Sequence, residues 1–84
     1  MATAIQQQYM KKIYCIERYV ISHKTGVWTL TSNFRFDYRE KNRFIKEKKN
    51  RGYEYNRKEK AYILQCAPVE SCYNRAIVVR SYLV

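Results

Sequence analysis

Apolar and polar residues alternate in two regions of the chain and follow a helical spacing in one. Residues 12–22 carry Ile13, Tyr14, Cys15, Ile16, Tyr19, Val20 and Ile21. This run is aromatic and β-branched, the composition of a strand. Glu17 and Arg18 interrupt both faces of it at once, which predicts a bulge or an exposed end there. His23-Lys24-Thr25-Gly26 has turn chemistry, with Gly26 able to supply a positive φ. Val27-Trp28-Thr29-Leu30-Thr31 reads as the partner strand, with Trp28 and Leu30 on one face and the Thr residues on the other.

A helix is expected next. Asp37 followed by Glu40 is a D-x-x-E form of the capping box, and Gly52 is placed to terminate the helix. Tyr38, Phe44 and Ile45, helped by the stem of Lys41, form its apolar patch. Tyr53-Glu54-Tyr55 reads as a short strand, Asn56–Lys60 as a polar turn and Ala61–Cys66 as a strand that Ala67-Pro68 breaks. A loop through Ser71-Cys72-Tyr73-Asn74 leads to the strand Ala76–Leu83. Residues 1–10 fit a short helix or a frayed end equally. The order β-β-α-(β)-β-β predicts an α+β fold: a small antiparallel sheet with one main helix packed on one face. Trp28, beside Leu30 in a short strand, is expected in the core under that helix.

At 84 residues the expectation is a single domain spanning 1–84, with room for one hydrophobic core. There is no apolar run suited to a signal sequence. Nor does any stretch approach the ~20 apolar residues that span a bilayer. These features predict a protein that does not engage membranes and stays in the cytoplasm, the host's cytoplasm if a phage encodes it. Cys15, Cys66 and Cys72 make an odd number, which favours reduced thiols over a disulfide framework. Their spacing with His23 lacks the short ligand pairs of a zinc site. No metal and no cofactor is therefore expected.

Charge changes the picture most. Lys and Arg total 17 against seven Asp and Glu, for a net charge of +10. Such an excess attracts polyanions. Eleven of the basic residues fall between Arg35 and Lys60. Arg39, Arg43, Lys46 and Asn50, at i, i+4, i+7 and i+11, form one helical stripe able to neutralise successive phosphates. The aromatic residues flanking these charges offer rings for base stacking. The candidate binding residues are Arg35, Arg39, Arg43, Lys46, Lys49, Arg51, Tyr53, Tyr55, Arg57 and Lys58. A plainer reading competes: Asp37–Lys41, Arg43–Glu47 and Glu47–Arg51 are i,i+4 pairs of an ordinary solvated helix.

Arg51-Gly52-Tyr53-Glu54-Tyr55 resembles part of the RNP1 signature of RNA-recognition motifs. Its context does not match, because that fold needs a helix between its first two strands and Glu54 stands where a small residue belongs. A lone His23 in a turn, with Cys72 as a conceivable nucleophile, is thin ground for catalysis, so no enzyme is expected. In size and composition the chain is similar to short basic proteins of phages and mobile elements, among them anti-CRISPR and host-takeover proteins. The leading expectation is a non-enzymatic protein that engages nucleic acid or a nucleoprotein complex through its Arg/Lys/Tyr-rich face. The alternative is a stoichiometric inhibitor docking on an acidic protein surface without touching nucleic acid. Oligomeric state is not legible.

Overall fold

The computed structural model describes residues 11–66 and 73–84. The readings of 1–10, of the Ala67-Pro68 break and of Cys72 lie outside them. The fold is α+β, as the alternation predicts. Among the described residues five strands and one helix follow in the order β1 (Lys12–Ile21), β2 (Trp28–Phe36), α1 (Tyr38–Asn50), β3 (Glu54–Asn56), β4 (Ala61–Leu64) and β5 (Asn74–Leu83). They build one antiparallel sheet in the spatial order β2-β1-β5-β4-β3.

The β1–β2 hairpin turns through Gly26 at φ +71°. The Ser22 hydroxyl accepts from the backbone N–H groups of Lys24 and Thr25, satisfying donors that the turn leaves unpaired. Register against β2 slips between Arg18 and Tyr19, so the bulge falls where charge interrupted both faces. β2 runs on to Phe36, five residues beyond its expected end at Thr31. Phe34 and Phe36 alternate with Asn33 and Arg35, and pairing with β1 continues through them.

The helix forms where its caps are. Asp37 accepts from the Glu40 N–H at 2.8 Å, and the Glu40 carboxylate accepts from the Asp37 N–H at 3.1 Å. Both halves of the capping box are made, leaving two fewer orphan donors at the N-terminus. Gly52, at φ +104°, turns the chain out of α1 into β3. A Cβ there would sit 3.4 Å from Leu64 Cδ1, so both conformation and space favour glycine.

The helix packs over β1 and β2. Its Ile45 joins Ile16, Ile77 and Tyr53 in the buried cluster, with Phe34, Phe36, Phe44, Tyr62, Leu64 and Val79 against it. Ile16, 0 % exposed, is the centre, opposite Phe34 on one side and Val79 on the other. Phe44 meets Phe34 and Phe36 edge-on at centroid distances of 5.4 and 5.6 Å.

Alternation sends the other half of the sheet's side chains to a face without a helix. Trp28 is there, correcting the expectation that it lies under α1. It pairs with Ile21, which is five positions from Ile16 and so points to the opposite face. Trp28 is half-buried, edge-on to Tyr19 at 5.5 Å. On the same face the Tyr19 hydroxyl and Arg80 Nε both donate to Glu17 Oε1, at 3.1 and 2.9 Å. Burial, then the bond to Glu17, raises the Tyr19 hydroxyl above its ordinary pKa.

The cysteines also differ from expectation. Cys15 is free, but Cys66 is disulfide-bonded. An odd count accommodates one bridge and one thiol, so parity could not decide the matter. The Cys66 N–H donates to Asn74 Oδ1 at 2.8 Å, tying the end of β4 to the start of β5.

Candidate nucleic-acid interface

Because α1 sits over β1 and β2, the β4–β3 end of the sheet's helical side is left as a shelf. Tyr62 and Tyr55 are cross-strand partners on it, with ring centroids 4.9 Å apart in an edge-on arrangement. Tyr62 is partly covered, while Tyr55 is 52 % exposed. Between this shelf and the flank of the helix runs a recess of about 260 Å³, lined by Lys41, Asn42, Ile45, Lys46, Lys49 and Tyr62. Ile45 forms its floor, since that residue belongs to the core.

Helical geometry explains the lining. At about 100° per residue, Lys49 and Asn42 lie next to Ile45 on one side, followed by Lys46, then Arg39 and Arg43, while Lys41 lies next to Ile45 on the other side. The flank is thus a ramp of basic side chains rising from the core to solvent. Lys49 Nζ lies 5.6 Å from the Tyr62 ring centroid. Lys41 Nζ lies 4.7 and 4.9 Å from the rings of Tyr14 and Tyr38 and donates to Asn42 Oδ1. These ammonium groups rest on aromatic faces and none has a carboxylate partner among the described residues.

The nearby acids are engaged elsewhere. Asp37 and Glu40 serve the capping box. Glu47 pairs with Arg51 at 2.9 Å, on the other flank of the helix. Of the three expected i,i+4 pairs, this is the one that forms a contact among the described residues.

The structure brings Lys46, Lys49 and Tyr55 together and leaves Arg39 and Arg43 exposed on the ramp above them. Arg57 and Lys58 occupy the turn between β3 and β4, at the end of the hairpin that carries the tyrosines. Three candidates lie elsewhere. Arg35 is on the opposite face of the sheet, 5.7 Å over the Tyr82 ring. Arg51 is on the far flank with Glu47. Tyr53 is 6 % exposed and part of the core, so its ring cannot stack on a base. Lys41, Asn42 and Tyr62 join the site without being among the ten candidate binding residues, although Lys41 belongs to the basic segment and Tyr62 to the aromatic residues that flank it. Tyr62 alternates with the buried Ala61 as any strand residue would, and only the sheet order puts it opposite the helix flank.

A second concentration of charge lies at the C-terminal end of α1. Lys48 is half-buried against Phe44 and Tyr53, with Nζ 5.2 and 5.9 Å from their centroids. Burial lowers the pKa of its ammonium below the ordinary lysine value, and Arg18, Arg51 and Arg75 push the same way against Glu47.

His23 is exposed in the hairpin turn. Among the described residues no group of three His, Cys, Asp or Glu side chains is placed to hold a metal ion, and no helix is long and apolar enough to cross a membrane. No protein-family model matches the chain, and searches of curated proteins and of solved structures return no significant match.

Proposed function

We propose that this chain is a non-enzymatic nucleic-acid-binding protein that takes a single-stranded segment into the recess between α1 and the β3–β4 hairpin. The observation that carries the reading is the composition of that recess: three lysines and, among the described residues, no carboxylate in its lining, beside a tyrosine pair of which Tyr55 is exposed. Lys41, Lys46 and Lys49 meet backbone phosphates, and Arg39 and Arg43 extend the track up the helix. Tyr55, held edge-on by Tyr62, offers a ring face to a base. A single strand suits this arrangement because its bases are free to stack on protein rings. Arg57 and Lys58 meet the strand where it leaves past the hairpin tip.

The test is fluorescence anisotropy with short single-stranded and duplex oligonucleotides over a salt series. Wild type should prefer the single strand. The triple variant Lys41→Gln, Lys46→Gln, Lys49→Gln should remain folded and bind more weakly. Its log–log salt dependence should be shallower by about 2, at ~0.7 per lost phosphate contact on a single strand. Unchanged affinity and slope in a folded variant would sink the assignment.

A further inference from the structure

Away from this recess, on the same side of the sheet, a cavity of about 230 Å³ is lined by residues of β1, β5, the β2 bulge and the start of the β3 hairpin, including Arg18, Thr31, Tyr53 and Arg75. Arg18 pairs with Ile77, and Arg75 pairs with Val20. The two arginines are therefore diagonal neighbours on adjacent strands, a separation at which long side chains interact and like charges repel. Lys48 lies against Tyr53 at the cavity's edge. Neither arginine makes an ion pair or side-chain hydrogen bond among the described residues. Glu47, the carboxylate that acts on Lys48, is already paired with Arg51.

One polar group next to the cavity lining is also unsatisfied. Ser32, directly across from Arg18, has a buried hydroxyl with no hydrogen-bond partner among the described residues. A buried polar group without a partner is uncommon and calls for an explanation. Gathering three cations is unfavourable alone and favourable once an anion sits among them.

We propose that the cavity framed by Arg18, Arg75 and Tyr53, with Lys48 at its edge, is a binding site for a phosphate monoester group. Two guanidinium forks match the paired oxygens of a phosphate, and three cations suit a dianion better than the single charge of a diester. The shared chemistry admits two sources, the 5′-phosphate of a nucleic-acid end or a small phosphorylated molecule. The inference stands independently of the lysine recess.

The experiment is titration of the full chain with inorganic phosphate in a phosphate-free buffer, read by amide and arginine side-chain NMR shifts. Saturable shifts centred on Arg18, Thr31, Tyr53 and Arg75 are expected. Arg75→Gln, an exposed change that leaves the core intact, should weaken binding about tenfold, the loss of one charge-assisted contact. Arg18→Gln should do the same. The Lys41, Lys46, Lys49 triple variant should bind phosphate as wild type does, so failure of either site is distinguishable from failure of the other. A 5′-phosphorylated oligonucleotide preferred over its 5′-hydroxyl form in wild type, but not in Arg75→Gln, assigns the group to a nucleic-acid end. Equal binding of the two forms, with phosphate binding intact, assigns it to a small molecule. Non-saturable shifts spread over all basic residues, or wild-type phosphate affinity in a folded Arg75→Gln, would overturn the proposal.

Discussion

Phe44→Ala should loosen the helix from the sheet and so dismantle the recess without touching a residue that lines it. Phe44 is the helix's contribution to a three-ring cluster. It lies 5.4 and 5.6 Å from Phe34 and Phe36, which are themselves 4.8 Å apart. Truncating a fully buried Phe costs about 3–5 kcal/mol. Phe44 is partly exposed, which lowers the burial share, while two edge-on contacts worth about 0.5–1.5 kcal/mol each are lost with it. A cost near 3 kcal/mol follows. For 84 residues total stability is about 4–13 kcal/mol, so the change removes a quarter or more of it. At about 4–8 °C per kcal/mol for a domain of this size, the melting temperature should fall by roughly 12–24 °C. Urea unfolding followed by far-UV circular dichroism gives the free energy. Phe44→Leu, which keeps most of the apolar volume, should recover over half of the loss. Oligonucleotide binding should track the folded fraction across both variants. A cost below about 1 kcal/mol for Phe44→Ala would show that the ring cluster does not hold the helix down.

Other perturbations have equally definite outcomes. Trp28→Ala should cost about 1–2 kcal/mol, below the ~3–5 of a core aromatic, because the face it occupies has no helix over it; a core-sized loss in urea unfolding would contradict that placement. Asp37→Ala removes one half of the capping box and should cost about 1–2 kcal/mol, with fraying of the first turn seen as faster amide exchange at Arg39–Lys41. Lys48 carries a pH dependence. Its folded pKa lies below the ordinary 10.5, so between the two values the unfolded chain binds more protons and stability rises with pH. Lys48→Met should therefore be at least as stable as wild type at neutral pH and should lose this alkaline gain. The comparison of the two proteins cancels the opposing contribution of Tyr19. A lower urea midpoint for Lys48→Met at pH 7 would refute the reasoning.

What was legible in the sequence was local. Asp37, Glu40 and Gly52 bounded the helix because caps act within four residues. Glu17 and Arg18 marked the bulge because a charge on both faces cannot satisfy a half-buried strand. What was missed depended on partners remote in sequence. The last residues of β2 looked like a connection because Ser32 and Asn33 are polar, and only pairing with β1 makes them strand. Trp28 was assigned to the wrong face because one strand's alternation shows which residues share a face, not which face the helix covers. Tyr62 and Lys41 joined the recess through the sheet order β1-β5-β4, which no run of residues encodes. Lys41 in particular was counted for its apolar stem, and its ammonium group belongs to the site.

The sheet's middle pair has a consequence for how the chain acquires its structure. β1 and β5 pair along their whole lengths, from Ile21 with Asn74 to Lys12 with Leu83, closing a loop of some sixty residues. Contacts this distant slow folding, since chain entropy is lost before they form. During synthesis β1, β2 and α1 emerge well before β5 and can associate, yet the inner edge of β1 stays open until the final strand arrives. That edge displays unpaired backbone groups beside Ile16, the residue destined to be most buried, and exposed edges recruit other chains. The hazard belongs to the nascent protein, and the dense positive charge, by keeping neighbouring copies apart, acts against it before any ligand is met.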